Sequence, residues 1–187
     1  MGTLAVNYYL KALDNYPFDL KEALEALEYA LSYDNEYADA HYLMGRLQME
    51  YMLQMEEARY HFDCALVADV NNIPTYYAYL NWCILMEEYN RAKRLCEYAH
   101  TVKGINRTVL YYKEALIFEK QGDLSKAKKR LNRAIDKSIS SCDVDYFKSE
   151  RERVNAKLKS IKKKKNKGKT KPSKAKRKGK NKRKSKS

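Results

Sequence analysis

Apolar positions along this chain fall into a recurring small–large–small pattern. Ala127, Leu131 and Ala134 are spaced by four and then three residues, which puts all three on one helical face. The triplet recurs as Ala92–Cys96–Ala99, Ala58–Phe62–Ala65 and Ala23–Leu27–Ala30, with steps of 35, 34 and 35 residues between first alanines. A period of this size, held four times, marks a helical solenoid. Two helices approach closely only where one presents Ala or Gly, and a large neighbour fills the space beside it. The pattern predicts helix pairs at 3–15 with 19–33, 36–52 with 55–69, 74–87 with 89–102, and 107–121 with 124–138. A short turn joins the members of a pair. In "KQGDLSKA" Gly122 can take a left-handed backbone and Asp123 can cap the helix that follows.

The last pair, "LYYKEALIFEKQGDLSKAKKRLNRAI", combines a frame of Tyr111, Ala115 and Phe118 with the Gly122 turn and the Ala127 triplet. The second, "HYLMGRLQMEYMLQMEEARYHFDCAL", supplies the small residue as Gly45 and carries one extra residue at its turn. On these motifs residues 3–138 resemble the tetratricopeptide repeat (TPR) family, with repeats at 3–35, 36–72, 73–104 and 105–140. The third repeat departs from the pattern: Leu80 takes the small-residue place, Cys96 the large one, and Lys103–Gly104 stands where a closing Pro is usual. In the first repeat Pro17 marks the turn and Asn35 replaces the closing Pro.

The resemblance implies an all-α, right-handed superhelix of antiparallel helix pairs, a TPR solenoid whose leading helices line a concave face. On that face Tyr42, Tyr77 and Tyr112 occupy equivalent places, with Arg46, Asn81 and Leu116 four residues beyond each. Such a groove would take a protein or peptide ligand, since tyrosine offers a large contact area, few rotamers and a hydroxyl. The same tyrosines could instead pack between helices. A clamp for a chaperone's C-terminal carboxylate is disfavoured: Tyr42 and Tyr77 replace the lysines it needs, and only Arg46 and Asn81 fit.

Beyond the repeats, 143–161 reads as a further helix with Phe147, Val154, Leu158 and Ile161 on one face. It would close the last repeat, whose apolar side would otherwise be wet; the alternative is a solvated connector. The solenoid and its cap would thus fill 1–161.

Charge then separates off a second part. The net charge is +14, yet 14 Lys and 2 Arg lie among the 26 residues of 162–187, with no acid. The remaining 22 basic residues face 24 acidic ones. Gly168, Pro172 and Gly179 interrupt the tail and its like charges repel, so it should be disordered alone. Lys162, Lys163, Lys164 and Lys165 form one cluster; Lys176–Arg177–Lys178 and Lys182–Arg183–Lys184 form two more. Such a strand releases counterions from nucleic acid and grips the backbone without reading sequence, as it has no aromatic and little arginine. RNA or a ribosomal particle is favoured over other polyanions. The clusters could also act as a nuclear or nucleolar address, or merely confer solubility.

Other classes find little support. No stretch is long and apolar enough for a membrane span. "MGTLAVNYYLKAL" lacks a basic start and is interrupted by Asn7 and Lys11, and Val6 stands where myristoylation wants Ser or Thr. Cys64, Cys83, Cys96 and Cys142 form no C-x-x-C and read as reduced intracellular thiols, in cytoplasm or nucleus. Gly168-Lys169-Thr170 resembles the end of a phosphate-binding loop, but Lys163 takes the place of its first glycine. No H-E-x-x-H or G-x-S-x-G motif is present. Cys96 and His100, with Cys83, would make a poor metal site, and His41 and His61 have no evident partners. No cofactor is expected. The sequence points to a non-enzymatic adaptor that holds a protein in its groove and a nucleic-acid backbone on its tail. The alternative is a protein-only module or chaperone with a solubilising or addressing tail.

Overall fold

Four helix starts carry a residue suited to capping. Asp19, Asn72, Asn106 and Asp123 each accept a hydrogen bond from a first-turn backbone N–H, satisfying donors that would otherwise be orphaned. The computed structural model describes residues 2–169, with the side chains of 4–163. Its helices are α1 (Gly2–Asn15), α2 (Leu20–Tyr33), α3 (Ala38–Leu47), α4 (Met55–Ala68), α5 (Ile73–Leu85), α6 (Tyr89–Ala99), α7 (Arg107–Lys120), α8 (Leu124–Lys137) and α9 (Ser141–Lys169). Helices α1 and α2, α3 and α4, α5 and α6, and α7 and α8 pack as pairs, and α9 lies against α8. The described residues form an all-α solenoid of antiparallel helix pairs.

The alanine triplets form the seams of the pairs. All twelve of their residues are buried, none more than 2% exposed. Their partners on the leading helices vary inversely in size. A Cβ on Gly45 would lie 2.8 Å from the ring of Phe62. In the next pair the fully buried Leu80 accompanies the smaller Cys96 in one cluster, and in the last pair Ala115 accompanies Leu131. The two departures in the third repeat thus offset each other in volume, which is how close-packed cores tolerate substitution.

The extra residue of the second repeat is absorbed in place. After α3 the backbone widens into a π-helical stretch, Gln48–Met52, which ends at Leu53 in the left-handed region (φ 56°). In the last pair Gly122 takes φ +79°, and the N–H of Asp123 reaches the Phe118 carbonyl at 2.9 Å.

Helix α9 differs from its expected outline at two points. Phe147 and Val154 are buried and Leu158 packs on the last cluster, but Ile161 is exposed. Two turns past Val154 the helix has advanced about 10 Å and outrun its support. The helix also continues to Lys169 instead of ending at 161. Lysine is a good helix former, and adding residues to an anchored helix is far easier than nucleating one. Residues 170–187 lie outside the described residues.

The Gly45 contact yields a test. Ala at this position would gain about 1 kcal/mol of helix propensity. Against that, its Cβ meets both the fully buried Phe62 ring and the Ala58 carbonyl oxygen, 3.1 Å away. Overpacking of this kind costs about 1–3 kcal/mol and should win. Chemical denaturation of Gly45→Ala is therefore expected to show net destabilisation; a more stable variant would contradict the seam.

Candidate functional site

Helices α3, α5 and α7 line two adjoining depressions. The first, of about 320 Å³, is bounded by Tyr42, Arg46, Glu50, Pro74, Tyr77 and Asn81. The second, of about 440 Å³, shares Glu50 and Asn81 and adds Met49, Ile84, Leu85 and Leu116. Five of the six groove residues read from the sequence therefore meet here: Tyr42, Arg46, Tyr77, Asn81 and Leu116. The surface they make is polar at one end and mainly apolar at the other, where Glu87 and Lys120 border the apolar residues.

The polar end is already ordered. Arg46 donates to both Glu50 carboxylate oxygens at 2.9 Å and to the Tyr16 hydroxyl at 3.0 Å, and Tyr16 donates to Glu50 at 2.7 Å. Burial alone would raise the Glu50 carboxyl, but hydrogen bonds from Arg46 and Tyr16 outweigh it and hold its pKa below the ordinary value. Tyr77 accepts from the Asn106 N–H at 2.9 Å and so also ties α5 to the start of α7. Lys113 donates to Asn81, and burial lowers its pKa. Neither Tyr16 nor Glu50 was legible as a groove residue, because both lie outside the repeat register of the tyrosine stripe.

Tyr112 stands apart from the groove. Its hydroxyl lies 2.6 Å from that of Tyr146, and its ring packs 5.5 Å from Tyr146 and 5.3 Å from Phe147, centroid to centroid. Helix α9 covers it. The cover is pinned by Glu119, which accepts from Arg153 at 2.5 and 2.7 Å and from Lys157 at 2.7 Å. The hydrogen bonds from Arg153 come first among the causes that hold the Glu119 carboxyl below its usual range.

The two histidines that looked isolated are partners. His41 and His61 face each other with their Nδ1 atoms 2.8 Å apart, and His41 Nε2 lies 3.0 Å from the Asn35 carbonyl. A carbonyl only accepts, so His41 carries its proton on Nε2 and His61 donates from Nδ1. The register held the clue: Gly45 sits opposite Ala58 and Phe62, so one turn back on α3 must sit one turn forward on α4. Cys96 and His100 do not converge on a metal. His100 Nε2 lies 3.4 Å from Glu114, and burial raises the Cys83 thiol to about 12 and pushes Cys96 up as well. Among the described residues no three His, Cys, Asp or Glu side chains group as metal ligands.

Of the tail clusters, Lys162 and Lys163 are exposed on α9, and Lys164 and Lys165 belong to its backbone. Lys176, Arg177, Lys178, Lys182, Arg183 and Lys184 lie outside the described residues. The near-neutral total of 1–161 conceals a polarity. Residues 1–72 hold 13 acidic and 4 basic side chains, whereas 73–161 hold 11 acidic and 18 basic. The basic half is the one that leads into the tail. No described helix is long and apolar enough to cross a membrane.

The architecture is that of a tetratricopeptide-type helical solenoid. Solved structures of similar fold include MamA residues 41 to the end from Desulfovibrio magneticus RS-1, at 17% identity and a TM-score of 0.62, covering 87% of this chain and 94% of that one. A crystal structure of MamA protein is similar at 18% identity and a TM-score of 0.65, with 92% and 98% of the two chains covered. A double mutant of the RS-1 MamA aligns at 15% identity and a TM-score of 0.62, over 84% and 98%. No family model matches the chain, and no curated protein matches it in sequence. The likeness is one of backbone course.

The histidine pair makes stability depend on pH. Burial, then the neighbouring His41, lowers the His61 pKa from 6.5 to about 4. The unfolded chain therefore binds the proton more readily. This contribution is intact above about pH 6.5 and is lost as the pH falls towards about 4. Urea midpoints should drop across that window, and His61→Gln should flatten the drop; an equal slope in both proteins would contradict the pairing.

Proposed function

We propose that this protein is a non-enzymatic adaptor: a protein or peptide occupies the concave groove, and the lysine-rich tail holds a nucleic-acid backbone, with RNA or a ribosomal particle preferred. The observation that carries the groove reading is the pair of joined depressions, one polar and ordered by Arg46, Glu50 and Tyr16, the other apolar around Ile84 and Leu116. A preformed surface of this kind binds without the entropic cost of ordering itself. Tyr42, Tyr77 and Asn81 supply its contacts; Tyr112 serves the cap instead.

For the tail, support comes from 16 positive charges without a balancing acid, continuous with a basic C-terminal half. A polycation of that density gains affinity for nucleic acid by counterion release. Residence in cytoplasm, nucleus or nucleolus fits such a partner. The second reading is a protein-only module whose tail is a solubility or address signal.

Labelled RNA and duplex DNA, titrated with salt, separate the two. Removing 162–187 should weaken binding about tenfold or more, with the helical circular dichroism of the body retained. The salt slope should flatten by about 0.7–0.9 log units for each phosphate that the tail had neutralised. If affinity and slope stay the same, the protein-only module replaces the adaptor.

A further inference from the structure

The turns that join α1 to α2, α3 to α4 and α5 to α6 are apolar, where connecting turns are usually polar. Phe18 is 92% exposed and Leu53 71%, and Tyr51, Met52, Leu85 and Met86 are exposed as well. The three turns form one continuous edge. Tyr16 donates to Glu50 at 2.7 Å and its ring lies 5.7 Å from that of Tyr51. Met49 and Glu50 in turn share the depression of about 440 Å³ with Leu85 and Glu87. The backbone is strained here. Leu53 sits at φ 56° and Glu87 at φ 60°, left-handed positions that are costly for a residue with a Cβ. The fourth turn makes the same step with Gly122, at φ +79°, and exposes Gln121 but no large apolar side chain. Strain kept together with exposed apolar side chains points to a surface with a function.

We propose that this edge, with the apolar depression beside it, seats a basic amphipathic helix of a protein partner. Charge identifies the occupant. The segments 14–20, 48–57 and 85–88 hold seven acidic residues and no basic one. Glu50 and Glu56 are paired with Arg46 and Arg59, whereas Glu57, Glu87 and Glu88 are exposed and form no ion pair among the described residues. Four of the six methionines, Met49, Met52, Met55 and Met86, also fall in these segments or border them. Their unbranched, polarisable side chains conform to helix faces of varied sequence. An amphipathic helix presents its apolar side chains as one stripe, and its lysines and arginines flank that stripe, where the acids of this edge stand. The acidic rim repels nucleic acid and anionic membrane alike. The lysine tail has the opposite charge but no large apolar side chain to fill the depression. This inference rests on the protein-binding part of the adaptor reading and not on the tail.

The test measures fluorescence anisotropy of two labelled peptides with the full chain at about 0.15 M salt. Both consist of leucine and lysine over about 18 residues, or five helical turns. One is ordered as an amphipathic helix, and the other has the same composition scrambled so that no face is apolar. The ordered peptide should bind about tenfold more tightly, in line with burying one or two leucines. Leu85→Gln should remove most of that advantage. Leu53→Asn separates binding from folding, because asparagine tolerates the left-handed backbone. Its urea midpoint should rise while its preference for the ordered peptide falls. Glu57→Gln combined with Glu88→Gln should weaken both peptides. Equal binding of the two peptides, or an advantage unchanged in Leu53→Asn and Leu85→Gln, overturns the proposal. If affinity resists both substitutions but falls with Tyr42→Ala, the groove reading stands and the edge does not. Phosphatidylserine vesicles bound with the same sensitivity to Leu53→Asn would overturn it in favour of a membrane. A dimer that sedimentation detects and Leu53→Asn dissolves would overturn it in favour of a second copy of this chain. None of these outcomes bears on the tail, which the RNA titration tests by itself.

Discussion

Everything in this fold depends on how closely the two helices of each pair can approach. The distance is set by one small residue meeting one large residue across the seam. Gly45 lies against Phe62 so tightly that a methyl group would collide, and Ala115 accompanies Leu131 in the last pair. Where the leading helix grows to Leu80, the trailing helix shrinks to Cys96. The changes in size at these positions compensate one another although the residues differ. Regular pairs can then stack, and stacking brings α3, α5 and α7 together around two adjoining depressions.

Electrostatics divides the molecule along its length. The first two repeats are strongly acidic, and the last two with the cap are basic. At the polar end of the groove Arg46 is held by Glu50 and Tyr16, so it orders the surface there without exposing an unpaired cation. Between α6, α7 and α8 the cations outnumber the acids and lie over aromatic rings. Helix α9 connects the solenoid to the tail. Phe147 and Val154 close the solenoid, Glu119 pins Arg153 and Lys157, and the helix then continues through the first lysines of the tail to Lys169. The body thus has an acidic half and a basic half.

Period and triplet register made the fold legible. The seams follow directly from alanines seven residues apart with a larger residue four after the first, and the turn at Gly122 and Asp123 follows from local backbone preferences. What escaped the sequence was determined by contacts between helices. Tyr112 has the same register as Tyr42 and Tyr77, but only it has α9 above it. Tyr16 reaches Arg46 from the neighbouring repeat, across thirty residues. His41 and His61 pair across a seam whose register was available, though nothing in their spacing along the chain announces it. The end of α9 is hidden from the sequence because a glycine at 168 reads as a breaker, whereas a helix already anchored by Val154 can run through it.

Hydrogen exchange of the full chain, with and without a single-stranded RNA, tests the division of labour most directly. The account predicts slowed exchange confined to α6, α7, α8 and α9, with α1 to α5 unchanged and the groove still open to a protein. Protection spread across α3 and α5, with none in α6 to α9, would contradict it: the groove itself would then be the nucleic-acid site, and the basic half would have no separate role.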